Sequence, residues 1–272
     1  MNVFCEGDKK KWDGIQNGRI LMDAHVHLRG SFGVFEFLEK GLLNLCYAIE
    51  SLDFEEQKYF GVLCVVDSRR EDGFGRLVKL LDKRDAPMKW KRKNWKVRET
   101  KESISLSVSL GRRKLLFTVA GRQLVSQSGL ELLAIGTRHQ FEEGKHVAEM
   151  IRDVAQAGAV PIVPWGAGKW LGRRGNILKQ LVRDPTLPQF FLGDSANRPA
   201  FWPKSSLFRE AKEHGIGNLP GSDPLPFSSE VQRVGSFGAA LDCSLDLEKP
   251  AQDLKRKLLD LSLTLHQFGR RV

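Results

Sequence analysis

Strand-like and helix-like segments alternate along most of this chain, and their order limits the folds that it can adopt. Residues 59–66 form a continuous apolar run that is typical of a buried parallel strand. Residues 33–51 and 145–157 carry apolar side chains at spacings of three and four, which predicts amphipathic helices. Parallel strands joined by helices close naturally into barrels, so the pattern predicts an α/β protein, a distorted (β/α)7–8 TIM-like barrel.

Residues 85–130 interrupt this alternation. Their segments rich in Val, Leu, Ser and Lys are separated by polar or glycine-containing breaks, which predicts an antiparallel β insertion. The chain has 272 residues and no internal repeat, a length at which α/β barrels routinely form one domain. We therefore expect residues 1–272 to form a single barrel domain that carries a basic, β-rich insertion and ends in a helix over residues 250–268.

Composition indicates the cell compartment in which we expect the protein. No apolar run reaches the roughly 18 residues that a membrane span needs, and the polar N-terminus lacks the apolar region of a signal peptide. The four cysteines form no C-x-x-C pair, which is expected of reduced thiols. These features predict a cytoplasmic protein with no membrane partner.

The most specific chemical pattern is Asp23-Ala24-His25-Val26-His27, which follows an apolar run. Two histidines at i and i+2 on a strand face the same side, so both imidazoles can reach one metal ion. Asp23 would share that face and could bind the ion or orient a histidine. The alternative is a pair of histidines satisfied by backbone carbonyls.

A second candidate ligand is Asp223, in the turn Gly221-Ser222-Asp223-Pro224. A carboxylate held there can bind a metal or act as a general base toward water, although these residue types are also those of a plain turn. Other polar side chains follow predicted strands, where barrels collect their chemistry: Asp67, Gln123, Glu131, Lys169 and Asp194.

Cations accompany these positions. A glycine-rich loop over 165–175 carries Lys169 and Arg173, which suits an anionic ligand, although a solvated loop has the same composition. Arg198 could clamp a carboxylate or phosphate, or it could be a surface arginine in a turn. The formal net charge of +10 also suits an anionic substrate.

The stretch from Lys89 to Arg98 holds six cations and two tryptophans in ten residues. It could bind nucleic acid, with cations on phosphates and indoles stacked on bases. It could instead be an edge strand whose tryptophans cover the sheet and whose lysines block further pairing. The pattern allows both interpretations.

Four motifs together resemble the polymerase-and-histidinol-phosphatase (PHP) family and, more distantly, the amidohydrolases. The motifs are MDAHVHL (22–28), VAGRQLVSQSGLELLAIGT (119–137), GAVPIVPWG (158–166) and LPGSDPLP (219–226). The resemblance spans most of residues 20–240 and implies a PHP-like barrel with metal-dependent hydrolase activity.

Departures from the family pattern reduce the expected ligand set. Gln123 stands at the family's glutamate, and the expected histidines are replaced by Ser68, Leu130, Trp165 and Leu225. The resemblance then implies one divalent ion of Zn, Mn or Fe type, with the metal ligands His25, His27 and Asp223.

The leading hypothesis is a metal-dependent hydrolase that acts on an anionic, phosphorylated small molecule through a metal-activated water. The catalytic candidates that would take the proton are Asp223, Glu131 and Asp194. The substrate-binding candidates are Lys169, Arg173, Arg198 and Gln123. Two alternatives are a catalytically reduced PHP-like module that binds an anionic ligand and a nucleic-acid-associated protein that uses Lys89 to Arg98.

Overall fold

A computed structural model describes residues 18–51, 58–81, 88–91, 93–110, 113–260, 264–269 and 271. In these ranges the chain forms a mixed α/β fold around one curled sheet. The strands are β1 (Gly18–Val26), β2 (Lys58–Asp67), β3 (Met88–Trp90), β4 (Lys93–Glu99), β5 (Ser105–Leu110), β6 (Arg113–Val125), β7 (Glu131–Ile135), β8 (Val160–Pro164), β9 (Phe191–Gly193), β10 (Phe237–Leu241) and β11 (Leu265–Gly269). The helices are α1 (Val34–Ser51), α2 (Gly73–Val78), α3 (Val147–Gln156), α4 (Gly172–Arg183), α5 (Ser206–Glu213) and α6 (Pro250–Leu258), with a 3-10 helix at Ser228–Arg233.

The sheet is mixed, so the parallel strands that the strand–helix alternation predicted outside the insertion make up only part of it. β1, β2 and β6 are parallel neighbours, and β8 and β9 are parallel. β7 runs antiparallel to β6, because a link over 126–130 is too short for a crossover. β10 is antiparallel to β1 on its other edge.

β7 and β8 are also antiparallel, although α3 lies between them in the chain. Residues 136–146 carry the chain back to the beginning of β7, where the N–H of Gly144 donates to the carbonyl oxygen of Val125 at 2.9 Å. α3 therefore starts from that end, and β8 runs opposite to β7. The simple strand–helix–strand rule fails here because the connecting loop itself crosses the length of the strand.

The predicted antiparallel strands of the insertion are confirmed in the described residues. β3, β4 and β5 pair in succession and β5 pairs with the first half of β6. Trp95 is buried in the core that α1 shares with the sheet. Lys91 and Lys93 form ion pairs of 3.1 and 2.9 Å with Glu39 of α1. Arg92, which the nucleic-acid hypothesis uses, lies outside the described residues.

The predicted helix over 250–268 is wrong in its second half. α6 ends at Leu258, and β11 pairs antiparallel with β10. Phe268 is buried against the sheet while His266 and Gln267 are exposed. Pairing with β10 therefore outweighs the local helical pattern.

Alternate residues of the central strands supply two layers of the core. Ile20, Met22 and Val62 belong to one layer, and Leu21 and Leu63 pack with α1 in the other. Among the described helices, none combines the length and apolar character needed to cross a bilayer.

Candidate metal centre

The candidate site lies at the end of the sheet where β1, β2 and β6 finish. The segment 218–223 runs between β9 and β1 at this end of the sheet. On one side, Asn218 forms a parallel bridge with Leu192 of β9. On its other side, Ala24 N–H donates to the Pro220 carbonyl oxygen at 3.2 Å, and Asp223 N–H donates to the His25 carbonyl oxygen at 2.8 Å. These bonds hold the late Asp223 turn against the early histidines.

An irregularity in β1 directs the histidine side chains. The register with β2 shifts between Asp23 and Val26. Met22 and Ala24 belong to one core layer, whereas Val26 belongs to the other, so the alternation of faces reverses within this bulge. Asp23 consequently lies on the face opposite to His25 and His27, which corrects the expectation that all three share one face.

His25, His27 and Asp223 converge. The two Nε2 atoms lie 3.0 Å apart. Oδ1 of Asp223 lies 3.6 Å from Nε2 of His25 and 3.8 Å from Nε2 of His27. The ligand atoms of the three residues all lie within 4.8 Å of one another, so the group could hold a metal ion. Gln123 Oε1 lies 3.2 Å from His25 Nε2 and borders the same space.

The donor set and its spacing fit a divalent ion. Imidazole nitrogens and a carboxylate oxygen bind zinc-type ions at about 2.0–2.1 Å, which puts tetrahedral ligand atoms about 3.3 Å apart. The three separations bracket this value. Three protein ligands leave a position open, as catalytic sites require.

Glu71, which the sequence reasoning missed, supports His27 from behind. Its Oε2 lies 3.3 Å from Nδ1 of His27, and its Oε1 accepts a 2.7 Å hydrogen bond from Arg29. Burial raises the pKa of Glu71, but its contacts with His27 and Arg29 outweigh that effect and hold the pKa well below its usual range. The contact with His27 does not have the alignment of a hydrogen bond, but the nearby negative charge favours a proton on Nδ1 and leaves the Nε2 lone pair for a metal.

Burial lowers the pKa of His27, against the opposing contact with Glu71. The imidazole is therefore neutral over more of the pH range, which is the form that binds metals. Only the position of Glu71, a few residues after β2, hinted at this role in the sequence.

The carboxylate of Asp23 joins the backbone segments that carry the candidate ligands. It accepts hydrogen bonds from the N–H groups of His25 (3.2 Å), Ser222 (2.9 Å) and Gly235 (2.9 Å). Complete burial raises its pKa to about 7 despite those bonds. Asp23 ties the histidine strand to the Asp223 turn and is not part of the ligand group.

Gly221 permits this close approach. A Cβ atom added there would lie 2.4 Å from both the Cβ and the backbone nitrogen of His25. Any side chain at this position would push the turn away from β1.

Asp194 and Arg198, predicted as a proton acceptor and a substrate cation, bind each other instead. Arg198 donates to the two Asp194 oxygens at 2.8 and 2.7 Å, and its third nitrogen donates to the Trp202 carbonyl oxygen at 2.9 Å. Both side chains are almost fully buried. The structure therefore leaves neither group available to a ligand, because each satisfies the other.

Glu131 and Lys169 also form an ion pair with each other. Both lie near the start of β7 and the loop after β8, at the same end of the sheet as the histidines. Arg173 is exposed in the first turn of α4. Of the predicted residues, the structure brings Gln123 and Asp223 to the two histidines, and it places Lys169 and Arg198 in ion pairs.

A cleft of about 290 Å³ adjoins the cluster through Gln123. It is lined in part by Arg69, after β2, and by Arg122 of β6. The sequence reasoning missed both arginines, although Arg122 immediately precedes Gln123.

Fold and site together define a mixed α/β protein with a candidate His/His/Asp metal centre at one end of a curled sheet. No family model matches the chain, and no curated protein matches its sequence. Several solved structures share its fold, including two with long aligned segments. PsfC from Pseudomonas syringae PB-5123 superposes with a TM-score of 0.55 at 14% identity, covering 93% of this chain and 92% of PsfC.

The second is the lesion-specific endonuclease PfuEndoQ from Pyrococcus furiosus. It superposes with a TM-score of 0.51 at 9% identity. The match covers 91% of this chain and 57% of the endonuclease. At these identities the two likenesses establish a common fold.

Proposed function

We propose that the protein is a metal-dependent hydrolase of PHP type that acts on an anionic, phosphorylated small molecule. The observation that carries the proposal is the convergence of His25, His27 and Asp223. The aspartate lies 196 residues after the second histidine in the sequence. These are the residues that the PHP resemblance picks out as ligands. A barrel of PHP ancestry accounts for both the motifs and the curled sheet.

The donor set favours one divalent ion of Zn, Mn or Fe type. When bound, such an ion supplies Lewis acidity and lowers the pKa of water. The chain's own residues would do the remaining work. His25 and His27 present nitrogen ligands, and Asp223 presents Oδ1. Its other oxygen, Oδ2, lies 3.5 Å from the Ser195 hydroxyl and would accept the proton.

Asp223 is therefore a better candidate for the general base than Glu131 or Asp194. Glu131 is paired with Lys169 and Asp194 with Arg198, so each of these carboxylates already has a cation as its partner. The amide of Gln123 lies beside His25, where it can orient a substrate oxygen or a water.

A nucleic-acid substrate is a second candidate, favoured by the fold shared with a lesion-specific endonuclease and by the formal net charge of +10. The described part of the basic stretch favours the structural role instead. Lys91 and Lys93 are paired with Glu39, and the Trp95 ring is buried. Salt-dependent oligonucleotide binding that Lys96→Gln weakens would support a nucleic-acid substrate.

The test is hydrolysis of a panel of phosphomonoesters by protein reconstituted with Zn, Mn or Fe. We expect activity that a chelator removes and the metal restores, and that Asp223→Asn lowers by at least about a hundredfold. An exposed control, Asp246→Asn, should leave it unchanged. Full metal binding without hydrolysis of any substrate would contradict the enzyme and favour the catalytically reduced binding module.

A further inference from the structure

The end of the sheet that carries the candidate metal centre also exposes most of the large apolar side chains that face solvent. Eight such side chains are exposed in the described residues, and five of them lie in the connections around Asp223. We call these five the apolar rim: Leu171, Phe201, Trp202, Leu225 and Phe227. Single exposed apolar residues are normal, but several that gather at one place mark a binding surface.

The three connections that carry the apolar rim are packed side by side. The Trp165 ring, directly after β8, lies edge-on to the Trp202 ring with the centroids 6.3 Å apart. Nδ2 of Asn197, in the connection after β9, donates to the carbonyl oxygen of Asp223 at 2.6 Å. The rim therefore borders the candidate metal centre.

The exposure of the rim indicates the shape of its partner. Phe201 is 88% exposed and Phe227 is 63% exposed, so both rings project from the protein and do not form the walls of a cavity. A bound small molecule would cover only side chains that line its pocket. An extended apolar partner, into which the side chains can insert, would cover them all.

The charge of the rim suits an anionic surface. The rim segments are residues 165–175, 199–205 and 224–229, and together they contain four Lys or Arg residues and no acidic residue. Arg173 and Lys204 are exposed, whereas Lys169 is paired with Glu131. The apolar side chains thus stand beside positive charge, which attracts anionic lipid headgroups.

The acidic residues at the same end lie outside the rim segments. Glu230, next in the chain after the last segment, forms an ion pair of 3.1 Å with Arg233. Glu143 lies beside Val125, whose N–H it accepts at 3.0 Å. Val125 is a further exposed apolar residue at this end, and its acidic neighbour is the reason that the rim excludes it.

We propose that the apolar rim docks the protein on the surface of an anionic lipid bilayer, with the candidate metal centre facing the headgroups. The aromatic and leucine side chains would enter the boundary between headgroups and acyl chains, while Arg173 and Lys204 contact the headgroups. Such docking needs no spanning helix. The expectation of no membrane partner rested on the lack of a spanning run, so it does not bear on surface binding. The inference goes beyond the proposed function, because it does not require hydrolysis.

The experiment is co-sedimentation of the metal-free protein with vesicles of phosphatidylcholine, alone or mixed with phosphatidylserine. We expect binding to the mixed vesicles that Phe201→Ser and Phe227→Ser each weaken by about fivefold or more. Tyr47→Ser is the matched control, because Tyr47 is 58% exposed but lies in α1, outside the rim. Absence of binding to the mixed vesicles, or equal weakening by all three substitutions, would overturn the proposal.

A second pair of variants tests the charge. Lys204→Gln should weaken binding to the mixed vesicles by about fivefold. Lys249→Gln, which removes an exposed lysine at the start of α6, should leave it unchanged. Equal binding by the two variants would contradict the assigned role of Lys204. All of these side chains are exposed, so the variants should fold, which circular dichroism checks.

Other partners would give different results. If the unaltered chain binds no vesicles, and Phe201→Ser instead abolishes oligonucleotide binding or self-association in sedimentation velocity, the proposal is wrong. Vesicle binding by a chain that never binds a metal would contradict the proposed hydrolase alone. Metal-dependent hydrolysis by a chain that binds no vesicles would contradict the docking surface alone.

Discussion

The backbone N–H of Asp223 donates a 2.8 Å hydrogen bond to the carbonyl oxygen of His25, so two candidate ligands from opposite ends of the sequence are joined through their main chains. Asp223 adopts a left-handed conformation there, with φ of 45°, which Asp tolerates better than most residues. This bond fixes the turn in place before any ligand is bound. The site is therefore preorganised by the fold.

Substituting Gly221 tests how closely this arrangement depends on the turn. Gly221→Ala would place a Cβ atom 2.4 Å from His25 and displace the turn. We expect a loss of about 1–3 kcal/mol in the free energy of unfolding, together with weaker metal binding. Chemical denaturation and metal titration measure the two effects. Gly30→Ala is the control, because a Cβ atom there meets nothing within 4 Å; equal effects at both sites would contradict the account.

Removing the charge of Glu71 should weaken metal binding. Glu71→Gln takes away the carboxylate that lies 3.3 Å from Nδ1 of His27 and favours its metal-binding tautomer. Loss of such a partner costs about 10–100-fold in affinity, which a competitive chelator titration can measure. Glu248→Gln, in an exposed pair with Lys101, should bind metal with unchanged affinity. Unaltered affinity in Glu71→Gln would show that His27 needs no such support.

Asp23 should make stability depend on pH. Its pKa is about 7 in the folded protein against an ordinary value of 3.8, because burial favours the neutral form. The stabilisation of the folded protein that depends on protonated Asp23 is therefore fully present below pH 3.8. It is lost as the pH rises to about 7. Relative to Asp23→Asn, the free energy of unfolding of the unaltered protein should fall on the order of 4 kcal/mol over that interval. Denaturation of both metal-free proteins at several pH values measures this; parallel curves would refute it.

The buried Asp194–Arg198 pair predicts a large stability effect. Arg198→Met leaves the Asp194 carboxylate buried without its partner and should cost about 3–5 kcal/mol in urea denaturation. Arg183→Met removes an arginine from a more exposed pair with Glu210 and should cost less than about 1 kcal/mol. A small loss in Arg198→Met would return Arg198 to the set of candidates for substrate binding.

Local periodicity predicted much of the fold. The apolar run over 59–66 corresponds to β2, and the spacings of three and four over 33–51 correspond to α1. The strand directions around β7 and β8 could not be derived in this way, because the loop 136–146 crosses back along the strand. Pairing between β10 and β11 likewise depends on contacts that a local pattern does not contain.

Part of the candidate site could likewise be predicted from the sequence, and part could not. The spacing of His25 and His27 predicts one shared face, and the structure has them on one face. The bulge that turns Asp23 to the other face has no signature in a simple alternation of residues. The pairing of Arg198 with Asp194 and the support of His27 by Glu71 depend on tertiary geometry, so sequence alone could not separate available cations from neutralised ones.

Metal stoichiometry tests the central claim most directly. We would measure bound Zn, Mn and Fe by elemental analysis after reconstitution and dialysis, for the unaltered chain and for His25→Ala/His27→Ala. The account predicts about one divalent ion per chain in the first and none in the second, with both proteins folded by circular dichroism. No bound metal in the unaltered chain between about pH 6 and 9, or equal metal in both proteins, would contradict a metal centre at His25, His27 and Asp223.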